Sequence, residues 1–225
     1  SSLIPTKGEI KNNLTPNKIA LMGRKVKIHL TKKFKLKKNN FILAPSLRYE
    51  TIFKGKINKK KNTNKKIKNI LLALPISFQD SDDILNVVQN YLKRFKGKNF
   101  KFFVNFHPML DFESLKKNKE IIKKNIKVVH GGFNQIYAKI DCVISNPSSI
   151  CFEALALSKP VIIVQNSKGV TQNPISIVKK NMWRLVRDEE DLNKAFNDLL
   201  IIKQKKSYYK ESKFIKKEYF SEINK

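Results

Sequence analysis

From Lys68 onward, short apolar runs alternate with stretches whose apolar residues recur at helical spacing. Ile70–Leu74 reads as a buried strand closed by Pro75. Asp80–Phe95 places Ile84, Val87, Val88, Tyr91, Leu92 and Phe95 on one helical face. Its first turn holds Asp80, Asp82 and Asp83, where the positive end of a helix dipole favours carboxylates. Phe100–Phe106 is the next strand, ending at His107-Pro108, followed by a helix around Phe112–Lys124. Strand Ile126–Val129, the turn His130-Gly131-Gly132 and a short helix Asn134–Lys139 come next. Strand Asp141–Ser145, helix Ser148–Leu157, strands Val161–Gln165 and Trp183–Val186, and helix Asp188–Ile201 complete the alternation. Tyr208–Phe220 reads as an amphipathic terminal helix. Strands separated by helices at this spacing predict β–α–β units, hence an α/β chain with a Rossmann-like, doubly wound, mostly parallel sheet.

The first third is different. Lys18–Gly23 suits a strand ended by Gly23, Lys25–Phe34 a basic helix or strand, and Phe41–Ala44 an apolar run leading to Ser46-Leu47-Arg48-Tyr49-Glu50. Lys54–Lys68 is nearly all Lys, Asn and Thr, the composition of a solvated linker or long loop. The expected organisation is therefore a remnant or hinge of a preceding Rossmann-like domain (1–50) and a linker (51–68). The main α/β domain (69–201) and the C-terminal amphipathic helix (202–225) follow.

Charge changes the picture less than its size suggests. The 225 residues carry 47 Lys+Arg against 18 Asp+Glu, a net charge of +29, which taken alone points to nucleic acid, a nucleotide or an anionic membrane face. Only five of those basic residues are Arg, and Asn occurs 23 times. Lys and Asn excess is what an AT-rich genome imposes on any surface, whereas base readout leans on Arg forks, so the composition argues against nucleic acid. Residues 1–68 hold a net +18 and residues 69–225 a net +11, which leaves the α/β part ordinary. Cys142 and Cys151 lie in apolar runs and read as reduced core thiols of a cytoplasmic protein. Apolar runs are too short to span a bilayer. With no initiating Met and no signal-peptide pattern, the chain is expected to begin within a longer protein.

In an open parallel sheet, ligands collect at the carboxyl ends of the strands. Three strand ends here carry small, polar or imidazole-bearing loops: His107-Pro108, His130-Gly131-Gly132, and Asn146-Pro147-Ser148-Ser149 after Ser145. Pro147 suits a first helical turn that Asn146 or Ser148 can cap. The backbone N–H groups there, with two hydroxyls, form an anion site. Glu153 falls four residues beyond Ser149, on the same helix face, where a carboxylate accepts ribose hydroxyls; solvation of Glu153 and simple capping by the serines is the competing reading. His107 as a strand-end histidine bonded to backbone, and His130-Gly131-Gly132 as a plain turn, stay open in the same way. His29 lies in a basic stretch and reads as a surface residue.

Asp141-x-x-x-Ser145, the Ser148-Ser149 turn and Glu153-Ala-Leu-Ala-x-x-Lys159-Pro160 together resemble the donor-binding half of GT-B glycosyltransferases over roughly residues 69–200. His107-Pro108 paired with Ser148-Ser149 is similar to the HP and S/S-T motifs of bacterial sialyltransferases and capsule transferases. Pro16 to Glu50 looks like the inter-domain region of bacterial surface-carbohydrate biosynthesis proteins. Similar patterns occur in CDP-glycerol phosphotransferases and nucleotide-sugar 2-epimerases. One position departs from the pattern: Ser158 stands where many of these families have Gly.

The resemblance implies a nucleotide-sugar donor and a saccharide or glycolipid acceptor, at the inner face of the plasma membrane with possible contact to anionic lipid. His107 would be the catalytic group, stabilising charge on the leaving nucleoside phosphate. Ser145, Asn146, Ser148, Ser149, Glu153, His130, Gly131 and Gly132 would bind the substrate. No cofactor or metal is implied; Asp80-Ser81-Asp82 matches a metal-binding Asp-x-Asp formally, but three acids opening a helix are more simply dipole partners. No general base for an acceptor is visible, so donor binding without transfer by this polypeptide alone is expected. A non-catalytic basic module for nucleic acid or anionic membrane is the alternative of another class.

Overall fold

The computed structural model describes residues 7–12, 14, 16–34, 40–46, 49–54, 67–95, 100–117, 126–131, 133–146, 148–168, 175, 178–203 and 205–222. The chain divides into two compact units, Gly55–Lys213 and a second made of Ser1–Lys54 with Phe214–Lys225.

In the smaller unit, helix α1 (Lys7–Lys11) is followed by strands β1 (Ile19–Leu21) and β2 (Phe41–Leu43), with α2 (Arg24–Phe34) between them and α3 (Glu50–Lys54) after them. β1 and β2 pair in parallel, so the basic stretch 25–34 resolves as the helix of a small β–α–β unit. Leu21, Leu30 and Phe41 form its core, with Ile19 and Val26 packed against them. α3 covers residues 51–54, which composition groups with the linker, and Ile52 on it is buried; residues 55–66 lie outside the described residues. Gly23 is required by close approach, because a Cβ there overlaps the Tyr219 backbone. Tyr49 meets Phe220 edge-on, with ring centroids 5.1 Å apart.

The larger unit holds β3 (Asn69–Leu74), α4 (Phe78–Arg94), β4 (Lys101–Phe106), α5 (Phe112–Lys116), β5 (Ile126–Val128) and α6 (Phe133–Ile136). β6 (Cys142–Ser145), α7 (Ile150–Ala156), β7 (Val161–Val164), β8 (Trp183–Val186), α8 (Glu189–Lys203) and α9 (Lys206–Tyr219) follow. α9 begins in this unit and its last turns belong to the smaller one. The expected helix beyond Lys117 falls on residues 118–125, outside the described residues.

The six strands pair in parallel in the order β5-β4-β3-β6-β7-β8. Counted from β3 this is 3-2-1-4-5-6, the Rossmann order, which reverses direction between β3 and β6. Parallel strands covered on both faces read as continuous apolar runs, and Ile70, Leu71, Leu72, Val143, Ile144, Val161, Ile162 and Ile163 are all fully buried. One face meets α4 and α8 through an aromatic cluster in which Tyr91 lies 5.4 Å from Phe196 and Phe196 4.8 Å from Phe100.

α4 starts at Phe78, two residues before the expected start at Asp80. Ser77 caps it by accepting the Asp80 N–H at 3.2 Å, a signal legible as Ser77-x-x-Asp80. The three acids then take different jobs rather than acting together as dipole partners. Asp82 accepts from Asn86 on the solvent side, while Asp80 and Asp83 reach across to other loops.

At the far end of α7, Ser158 has a φ of 59°, the left-handed conformation that ends helices and favours Gly. The Lys159 N–H then bonds back to the Ala154 carbonyl at 2.8 Å. The Ser158 hydroxyl is buried with no hydrogen-bond partner among the described residues. Ser158→Gly relieves both the backbone strain and the orphaned hydroxyl, against some added freedom in the unfolded chain. We expect it to raise stability by about 0.5–1 kcal/mol, read as a higher urea midpoint.

Cys142 and Cys151 are both buried free thiols. Burial pushes the Cys151 thiol up from 9.0 to about 12. Above pH 9 the unfolded chain loses this proton while the folded chain keeps it, so the folded state binds more protons and stability falls as pH rises towards 12. The thiol contributes a slope of up to about 1.4 kcal/mol per pH unit. Urea titrations across that range should show a shallower decline for Cys151→Ala than for the unaltered chain.

Candidate functional site

A sheet that reverses its strand order leaves a crevice where the two halves diverge, at the carboxyl ends of the two central strands. Here those strands are β3 and β6, in register as Leu71↔Val143 and Ala73↔Ser145. The loop after β4 lies on the same edge, since Leu74 pairs with Phe106 and the His107 N–H bonds to the Leu74 carbonyl at 3.1 Å. Three of the predicted loops therefore open on one rim.

His107 is exposed at the rim, and its Nδ1 accepts the Met109 N–H at 3.2 Å. That bond selects the neutral tautomer with the proton on Nε2, which leaves a donor facing outward. The backbone-bonded and ligand-facing readings of this histidine are thus compatible. The turn continues into α5, whose cap Asp111 accepts from the Ser114 N–H and hydroxyl; those bonds hold its carboxyl below the usual carboxylate range.

The predicted residues after β6 divide sharply. Ser145 is fully buried and its hydroxyl donates to the Ala73 carbonyl at 2.9 Å, so it ties β6 to β3. Asn146 is also buried, and its side-chain amide donates to the Asp80 Oδ1 at 3.0 Å rather than capping α7. Ser148 is half-buried and its hydroxyl oxygen accepts the Ile150 N–H at 3.4 Å, which leaves its own O–H to donate. Ser149 is exposed, and its hydroxyl donates to Glu153 at 3.4 Å. The two residues share a face, as their spacing predicts, but Glu153 is only 3% exposed. The amides of Ile150 and Cys151 are already engaged by the Ser148 hydroxyl and carbonyl, so these two N–H groups do not form a bare anion site.

His130 is exposed after β5, and Gly131 takes a φ of 91° that only Gly adopts without strain. A Cβ there overlaps the Gln135 side chain. Gly132 lies outside the described residues.

Sequence reasoning missed a carboxylate pair at the same switch point. Asp80 accepts from Asn146 and, at 2.5 Å, from Asn166 in the loop after β7. Asp83, one turn along α4, accepts from the Ser167 N–H at 3.0 Å and hydroxyl at 2.8 Å, and from Gln79 at 2.9 Å. The sequence carried half of this signal, since Asp80 and Asp83 share a helix face, but apart from Gln79 their partners lie 66 or more residues away. Among the described residues no group of three His, Cys, Asp or Glu side chains is placed to hold a metal. No described helix is long and apolar enough to cross a membrane.

No protein-family model and no curated protein sequence matches the chain. Solved structures do. The wall teichoic acid polymerase TagF, soaked with CDPG, superposes with a TM-score of 0.58 at 12% identity, over 96% of this chain and 55% of that one. WaaG, a glycosyltransferase involved in lipopolysaccharide biosynthesis, gives 0.52 at 16% identity over 88% and 57%. The UDP-GlcNAc 2-epimerase from Neisseria meningitidis bound to UDP-GlcNAc gives 0.55 at 16% identity over 84% and 54%. The chain thus spans little more than half the length of each, and what it shares with them is the fold: an α/β, Rossmann-like parallel sheet of the kind found in GT-B neighbours.

Proposed function

We propose that this chain is the donor-binding half of a GT-B-type glycosyltransferase, holding a nucleotide-activated sugar destined for a surface polysaccharide or glycolipid. The observation that carries the reading is the convergence of the His107 turn and the Ser148-Ser149 loop at the switch point of a 3-2-1-4-5-6 sheet. In this reading the His107 Nε2–H and the Ser148 hydroxyl donate to the donor's phosphate, stabilising charge as the nucleoside phosphate leaves. Glu153 reaches the ribose once the Ser149 side chain swings aside, and His130 with Gly131 and Gly132 borders the base. No metal or other cofactor is invoked. The base that activates an acceptor hydroxyl belongs to a part of the enzyme outside this polypeptide, so binding without transfer is the expected behaviour.

A CDP-glycerol-type phosphotransferase is the second reading. It is favoured by one observation: the TagF likeness extends over 96% of the chain, against 84% for the epimerase. Both readings require the same phosphate-facing groups and differ in the donor. A peripheral contact with anionic membrane also fits the smaller unit, where the basic α2 leaves Ile28 exposed and β2 leaves Ile42 and Leu43 exposed.

Calorimetry with CMP-, UDP-, GDP- and CDP-linked compounds tests the donor site. We expect one nucleotide class to bind, and His107→Ala to weaken it by about tenfold or more, the worth of a hydrogen bond to a charged group. Absence of binding across the panel at millimolar concentration overturns the assignment. For the membrane contact, co-sedimentation with phosphatidylserine vesicles should fall steeply as salt rises, and binding that ignores salt would contradict it.

A further inference from the structure

We propose that Asp80 is a positioning residue for the donor loop: its carboxylate fixes Asn146, at the strand end of the loop that presents Ser148 and Ser149. The inference rests on the donor reading above and names a residue that reading does not use.

The argument starts from a local rule that is broken. Ser77 caps α4, so Asp80 occupies the third helical position, from which an acidic side chain ordinarily turns back towards its own cap. Both side-chain hydrogen bonds of Asp80 instead leave the helix. One comes from Asn146, which is 1% exposed and directly follows the last residue of β6; the other comes from Asn166, just past β7. Both donors converge on the same oxygen, Oδ1. Asp83 fastens α4 to the β7 loop a second time through Ser167. The β7 loop is therefore held at two points, whereas among the described residues the α4 side-chain bond to the donor loop is the one from Asp80.

A carboxylate beside a phosphate site repels it unless its charge is absorbed by donors. Two side-chain amides partly offset it here, and Asp80 acts through Asn146 rather than by touching the ligand. Buried Ser145, the residue before Asn146, anchors the same end of the loop to β3. The loop is thereby clamped from the sheet below and from the helix beside it, before any ligand arrives. Such preorganisation lets hydroxyls meet a phosphate without paying to be ordered.

Two substitutions separate positioning from a plain dipole role. Asp80→Asn keeps the length and a carbonyl acceptor but loses the charge; Asp80→Glu keeps the charge at the helix start and moves the acceptor by one methylene. With the full chain and CDP as probe, we expect Asp80→Asn to bind within about threefold of wild type, with Tm lowered by about 1–3 °C as the dipole loses its partner. Asp80→Glu should hold Tm within about 1 °C, weaken CDP by about tenfold, and speed amide exchange at Ile150 and Cys151 by about tenfold. Asp80→Glu binding like wild type, or Asp80→Asn losing as much affinity as Asp80→Glu, overturns the proposal. If the wild-type chain binds neither CDP nor any compound of the panel, the donor reading is what fails. The exchange measurement then decides the clamp by itself: unchanged protection at Ile150 and Cys151 in Asp80→Glu removes it.

Discussion

The parallel pairing of β3 with β6 is the constraint on which the larger unit depends. From β3 the chain continues to β4 and from β6 to β7, on opposite sides of the pair, so no turn joins them and the pair must be held by its own bonds. It is pinned at both ends. At the amino end the Asp141 carboxylate accepts the backbone N–H groups of Lys68 and Asn69, both at 3.1 Å, and the Asn69 side chain returns a bond to the Lys139 carbonyl. At the carboxyl end Ser145 donates to Ala73. Asp141 and Ser145 open the pattern that resembles a donor-binding motif, and both serve the sheet. Their spacing is the length of one strand.

That division of labour runs through the site. Buried polar groups are costly unless bonded, so Ser145, Asn146, Glu153 and Asp83 each have partners within the fold, as does half-buried Asp80. In the proposed reading the groups that meet a ligand stand on the rim, above this bonded layer, at His107, Ser148 and His130, with Glu153 joining them once Ser149 releases it. A firm polar floor under a small number of outward donors is an arrangement that recognises an anion without large rearrangement. At the amino ends of the strands, away from the site, the Lys159 ammonium donates to the Ile140 carbonyl at 2.7 Å.

Most of the larger unit was legible in the sequence because strands buried on both faces announce themselves as short apolar runs, and α4 and α8 carry clear helical periodicity. The smaller unit was harder for a specific reason. Val26, Ile28 and Leu30 alternate with Lys27 and His29, a period that suits a strand, and only the pairing of Ile19 with Phe41 makes the segment between them a crossover helix. In the site, the loops that gather at the switch point followed from strand order alone. The allocation of polar side chains did not. Whether Asn146 caps a helix or bonds to Asp80 is decided by a residue 66 positions away, and no local spacing encodes that. Ser158 is the reverse case, since its departure from Gly was visible at once and its left-handed backbone supplies the reason.

The smaller unit is assembled from the head and the tail of the chain, with Gly23 against the Tyr219 backbone and Tyr49 against Phe220. This has a bearing on the order of events during synthesis. Residues 55–213 are complete and free to fold while the head, although translated first, still lacks the strand of sequence that closes it. The head must wait with Tyr49 and Phe53 without their partners Phe220 and Lys216, a state that invites association with other chains. Its dense positive charge then acquires a use independent of any ligand: like-charged waiting segments repel one another until the last helix emerges.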